Sequence, residues 1–102
     1  MRRLIILYSF SIRMKTITDL QSSDVLEING ASYQVLKHFE LWYDDSKKEM
    51  DMCVSLVPVD NPQMSATHRL IYVRERAEQR SFRKYDAKTD RFLEVTLESI
   101  QI

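Results

Sequence analysis

The chain has one glycine, and it is the second half of an Asn-Gly pair. Asn29-Gly30 stands between residues 24–28, Asp-Val-Leu-Glu-Ile, and a long alternating run that begins at Ser32. A type I′ turn needs two consecutive residues at positive φ, and its twist matches the strands that it joins. Asn-Gly meets that demand better than any other pair of natural residues. With one glycine and two prolines in 102 residues, every other turn must be built from Asp, Asn, Ser and Lys. The same scarcity excludes glycine-rich phosphate loops and dinucleotide fingerprints.

The runs on either side of the pair are strand-like. In residues 32–43, Tyr33, Val35, Phe39, Leu41 and Tyr43 share one parity, with Lys37 as the only intruder. Ser32, Gln34, His38 and Glu40 take the other, with Leu36 and Trp42. A period of two is the mark of a half-buried strand. Residues 44–48 are a polar turn. Met50, Met52, Val54 and Leu56 then alternate with Glu49, Asp51, Cys53 and Ser55, until Pro58, which cannot donate to a central ladder, ends the run. The two runs read as a long hairpin, followed by a loop from Asp60 to about Thr67.

Residues 68–75 carry four consecutive apolar residues and favour a strand. Residues 76–80 favour a helix by propensity, but the apolar positions from 65 to 85 do not keep a 3.6 period. A second hairpin joins residues 82–85 to 91–97 through Asp86, Thr89 and Asp90. Thr18-Asp19-Leu20-Gln21 has capping-box spacing for one helical turn. The expected fold is therefore mainly β, an antiparallel meander of five to seven strands closing into a small barrel or a twisted sheet. The alternative is an α+β form with one helix near 74–84 over the sheet.

A chain of this length makes a single domain, residues 1–102, with one modest core. Residues 1–13 pose a separate question. Leu4, Ile6, Tyr8, Phe10 and Ile12 alternate as in a strand, while Met14-Lys15-Thr16 looks like an ordinary start that would make the first 13 residues an extension. The apolar stretch is too short to span a bilayer and lacks a signal-peptide cleavage site. The lone cysteine, Cys53, excludes an internal disulfide and lies in an apolar run, where it reads as a small buried hydrophobe. A cytoplasmic protein with no membrane partner is the corresponding expectation.

No catalytic, cofactor or metal motif is present. His38 and His68, the only histidines, have no ligand spacing. Asp44, Asp45, Glu49 and Asp51 could gather a hard cation, but Lys47 and Lys48 stand among them and the order is not that of an EF-hand. Tyr85-Asp86, Thr89 and Phe92 resemble the Tyr-Asp-x-x-Thr-x-x-aromatic hairpin of kelch-type propeller blades. The resemblance covers about a tenth of the chain, which is far too short for a propeller of ~50-residue blades, and it implies only shared turn chemistry.

Two features bear on function. Acids and bases balance at 15 each, but unevenly: residues 14–66 carry a net charge of −5 and residues 67–91 a net charge of +4. In the second half Arg69, Arg74, Arg76, Arg80, Arg83 and Lys84 interleave with Tyr72, Phe82, Tyr85 and Phe92. That composition suits nucleic-acid contact. The competing arrangement puts the aromatics in the core and pairs the arginines with acids of the first half. The second feature is Trp42, which shares a parity with Leu36 and His38 on a half-polar face and so marks a candidate protein interface. The N-terminal alternation or the 60–67 loop is the alternative cover for it. The sequence thus suggests a non-enzymatic binding or adaptor module acting on a protein partner or on itself as a homodimer, with nucleic-acid binding as the alternative.

Overall fold

The computed structural model describes residues 15–102; the N-terminal alternation at 3–13 and Met14 lie outside the described residues. Seven antiparallel strands form one sheet, curled into a half-barrel, and a 3-10 turn at Ile17–Asp19 is the one helical element among them. The strands are β1 (Val25–Ile28), β2 (Ala31–Asp44), β3 (Glu49–Pro58), β4 (His68–Val73), β5 (Glu78–Asp86), β6 (Arg91–Val95) and β7 (Ile100–Gln101). Their order across the sheet is β6-β5-β4-β3-β2-β1-β7. The expected meander accounts for the first six. The helix near 74–84 does not form: residues 74–77 make a turn, with Ala77 at φ 52°, and β5 follows at once. Period-2 burial wins there, because Phe82 must meet Leu70 and Val95 in the core.

Asn29 and Gly30 both take positive φ, 51° and 81°, as a type I′ turn requires. Asn29 has a second role that the sequence does not announce. Its side-chain amide donates to Thr96 O at 2.7 Å, and its side-chain oxygen accepts the N–H of Glu98 at 2.7 Å and of Ser99 at 3.2 Å. These bonds hold the crossing from β6 to β7. Residues 96–99 must carry the chain from one edge of the sheet to the other, and five residue steps reach at most ~18 Å. The two edges therefore come close together at the Asn29 end.

Cross-strand partners lie on the same face of a sheet, so the registers assign the faces. Tyr33, Val35, Val54, Leu56, Leu70, Tyr72 and Phe82 are all buried on the concave face, together with Leu26 and Ile28 of β1. Ile17 and Leu20, from the 3-10 turn and its exit, plug this core. That burial sets the phase of the turn. It spans Ile17–Asp19 rather than starting at Thr18, and the Asp19 carboxylate accepts the N–H of Thr16 at 3.0 Å.

The parity read for β2 holds only as far as Val35. Leu36 is an extra residue: Val35 pairs with Leu56 and Lys37 with the adjacent Ser55. A bulge of this kind reverses the parity of everything after it. His38 pairs with Val54 and Glu40 with Met52, so both lie on the concave side with Tyr33 and Val35, while Phe39 pairs with Cys53 on the convex side. A second bulge at Leu41 sets Trp42 opposite Asp51, also convex. The face shared by Trp42, Leu36 and His38 in the sequence reading is therefore split.

Candidate functional site

The concave face satisfies its own polar groups. The His38 ring lies 5.5 Å from that of Tyr72. His38 Nδ1 meets Leu20 O at 2.7 Å. A carbonyl only accepts, so Nδ1 carries the proton, and Nε2 is left to accept the Tyr72 hydroxyl. His68 is 8% exposed and stacks on Phe82 with ring centroids 5.3 Å apart, with Tyr33 against both. Burial lowers the affinity of His68 for a proton, and Lys84 adds to the effect. Both histidines have their partners in the fold, His68 buried and His38 half-buried.

The convex face is different. The registers align Lys37, Ser55, Arg69, Arg83 and Glu94 in one transverse row across five strands. Two arginines therefore stand directly opposite each other, an arrangement that is repulsive unless something negative joins it. Among the described residues neither Arg69 nor Arg83 forms an ion pair. Both converge instead on Phe92. The Arg69 guanidinium lies over its ring at 4.0 Å, and Arg83 donates to its carbonyl at 3.5 Å and to Ser81 Oγ at 3.3 Å. Arg69 Nε is shut off from solvent and has no hydrogen-bond partner among the described residues, a state that costs about 1–3 kcal/mol or more. Beside Arg69 opens a cavity of about 450 Å³ lined by Gln63, Ser65, Ala66, Thr67, Tyr85 and Phe92. The loop that supplies Thr67 is tied to the sheet by Thr67 N–H to Leu56 O at 2.9 Å and Tyr85 N–H to Thr67 O at 2.9 Å.

The other bases are engaged elsewhere. Arg74 pairs with Glu40 at 3.4 Å and Glu75 at 3.1 Å, Arg76 with Glu49 at 3.2 Å and Glu78 at 3.1 Å, and Arg80 with Asp51 at 3.1 Å. Three bases of the second half, Arg74, Arg76 and Arg80, thus pair with acids of the first half. Lys84, opposite His68 and Leu93, faces away from Arg83. Glu49 and Asp51 are taken by arginines, and Asp44 accepts the N–H of Ser46 at 3.0 Å and its hydroxyl at 2.7 Å. The Ser46 hydroxyl above all, then the N–H groups of Lys47 and Ser46, hold the Asp44 carboxyl below its usual value. Among the described residues no three His, Cys, Asp or Glu gather as a metal site, and no helix is long and apolar enough to cross a membrane. Cys53 is buried, and burial raises its thiol above the ordinary value.

A second feature is the outer edge of β2. β1 pairs with β2 only from Ala31 to Gln34. Beyond the contacts of Ser22, Ser23 and Asp24 with Val35 and Leu36, no described strand runs beside residues 37–44 on that side. Leu41, Trp42 and Tyr43 are all exposed on this edge, Trp42 at 69%. Sequence reasoning found Trp42 but missed Phe39, Lys37 and Asp44 beside it. It also missed Thr67 and Phe92 as neighbours of Arg69. Phe92 stands in the quoted hairpin pattern, but nothing local says that an arginine two strands away lies over it. Compared with models of known protein families, with curated proteins and with solved structures, the chain matches none of them.

Proposed function

We propose that the protein is a non-catalytic binding module whose working surface is the free outer edge of β2, and that its partner there is a second copy of the chain. The observation that carries this reading is the run Leu41, Trp42 and Tyr43, exposed on a strand edge with no described neighbour. A free edge offers backbone N–H and C=O groups to an added strand, and tryptophan and tyrosine are the residues that most often anchor interfaces. The segment is also complementary to itself. About a two-fold axis between Glu40 and Leu41, antiparallel pairing sets Lys37 against Asp44, His38 against Tyr43 and Phe39 against Trp42. Each half thus brings one opposite-charge pair and one aromatic pair.

Sedimentation of the full chain tests this. The wild type should associate reversibly to a dimer below about 1 mM, and Trp42→Ser should stay monomeric. Lys37→Asp should also be monomeric, because it faces the partner's Asp44, and adding Asp44→Lys to it should restore the dimer. A wild type that is strictly monomeric up to that concentration, or a charge swap without rescue, overturns the reading.

Nucleic-acid binding draws less support from the geometry. Of Arg69, Arg74, Arg76, Arg80, Arg83 and Lys84, three are committed to carboxylates and a fourth points to the other face.

A further inference from the structure

We propose that the cavity beside Arg69 is a binding site for a small aromatic phosphomonoester. Arg69 and Arg83 face each other across β4 and β5 without an ion pair among the described residues. Stacking on Phe92 occupies the face of the Arg69 guanidinium, not its in-plane donors. Among the described residues Nε is buried and unpartnered, closed to a ligand as it is to solvent, so the terminal nitrogens are the donors left to bind. An oxyanion bound end-on to a guanidinium uses its two terminal nitrogens, as a two-point fork. An anion held there would relieve the repulsion between the two arginines.

The lining specifies more than a negative charge. Ser65 offers a hydroxyl donor, and Gln63 an amide, to the remaining oxygens, while the Thr67 hydroxyl is engaged with His68 Nδ1 at 2.8 Å and Leu56 O at 3.4 Å. Arg69 in the wall and Arg83 opposite it in the register favour a dianionic phosphate over a monoanionic carboxylate. Tyr85, partly exposed and edge-on to Phe92 with centroids 5.6 Å apart, gives a flat apolar wall for the organic part. The volume, about 450 Å³, lies in the lower part of the range of small-molecule pockets. Glu94 and Asp90 are the nearby acids. Glu94 pairs in register with Arg83 without reaching it as an ion pair, and Asp90 is engaged by the Tyr85 hydroxyl. The site uses none of residues 37–44, so it stands or falls separately from the dimer.

Titration of the full chain by NMR tests it, with three probes: phenyl phosphate, inorganic phosphate and phenol. Phenyl phosphate should bind saturably below about 10 mM, with shifts concentrated at residues 63–67, 85 and 92. Inorganic phosphate should bind about tenfold more weakly, and phenol should not bind. Arg69→Gln should weaken phenyl phosphate by at least about tenfold through loss of the fork. Arg69→Lys should fail to restore it, because an ammonium keeps the charge and loses the two-point geometry. Arg83→Gln provides an independent variant should the changes at Arg69 disturb folding, and it should weaken binding severalfold. No saturable binding of phenyl phosphate, binding unchanged in Arg69→Gln or Arg83→Gln, or full rescue by Arg69→Lys overturns the proposal. Equal affinity for inorganic and phenyl phosphate overturns the aromatic part of it.

Discussion

The two faces of the sheet are made by the same strands and differ in what they leave undone. On the concave face the buried rings pack on one another and each buried polar group has a partner. Tyr33, His68 and Phe82 form one cluster, and His38 is held between Leu20 O and Tyr72. On the convex face an arginine keeps a buried, unpaired Nε, two arginines confront each other, and a tryptophan stands in solvent. Folding alone explains the first face. It does not explain the second, because leaving donors orphaned and apolar rings exposed lowers stability or solubility without structural return. Residues that the fold does not use are where binding is to be sought.

The largest expected difference between the faces comes from truncation. Phe82→Ala should lower the unfolding free energy by about 3–5 kcal/mol, since it removes a buried aromatic from the centre of the core. Trp42→Ser, though it deletes a larger ring, should change stability by no more than about 0.5 kcal/mol, because that ring is exposed. Urea unfolding of the two variants, at concentrations where the chain is monomeric, measures the contrast directly. A loss of several kcal/mol for Trp42→Ser would mean that the ring is part of the core and that the division of faces is wrong.

A smaller effect sharpens the claim that concave polar groups are satisfied. Tyr72→Phe keeps the ring and removes only the hydroxyl that His38 Nε2 accepts from. It should cost about 1–3 kcal/mol, and His38→Gln combined with it should cost less than the sum of the two single changes. Additive losses would show that the pair does not interact.

The smallest effect is on pH dependence. His68 binds its proton less readily in the fold than in the unfolded chain, because it is buried and then because Lys84 is near. The unfolded state therefore takes up more protons as pH falls below the ordinary histidine value, about 6.5, and the stability due to neutral His68 is complete above that value and is lost below it. Asp24 and Glu75 are shifted down. The main causes are backbone N–H bonds, from Gln21 to Asp24 and from Met50 to Glu75. Their contribution, and that of Asp44, holds above the usual carboxylate range and disappears as pH falls through their lowered values. Chemical unfolding across pH should accordingly show an early decline beginning near pH 6.5 that His68→Gln abolishes, followed by a carboxylate stage that it leaves in place.

How far this contrast could be read from sequence depends on the residue. Asn29-Gly30 signalled its turn correctly because both positive φ values are a local demand. Asp44 and Asp86 signalled theirs because carboxylates accept from their own turns, as Asp86 does from the Thr89 N–H at 3.1 Å and the Thr89 hydroxyl at 2.7 Å. The first six strands of the sheet followed from the apolar runs. β7 did not, since two residues carry no period, and Asn29 gives no local sign of the crossing that it clamps. The face of His38 was misread because Gly30 pins the register only until a bulge intervenes. Lys37, out of place in an apolar parity, was the trace of that bulge in the sequence, and its meaning emerges only when Lys37 is set against Ser55. The convex cluster was illegible for a similar reason. Arg69, Arg83 and Phe92 lie on three strands, and only the assembled registers put them side by side.

The emission of Trp42, the only tryptophan, tests the central claim in the unaltered protein. On a free convex edge it should emit at long wavelength in dilute solution. As concentration rises through the dimerisation range seen by sedimentation, the emission should move to shorter wavelength, the two transitions coinciding. Short-wavelength emission already present in the dilute monomer would contradict the account, because the ring would then be covered within one chain. So would a long-wavelength spectrum that stays unchanged while the chain dimerises, because the second copy would then be bound elsewhere.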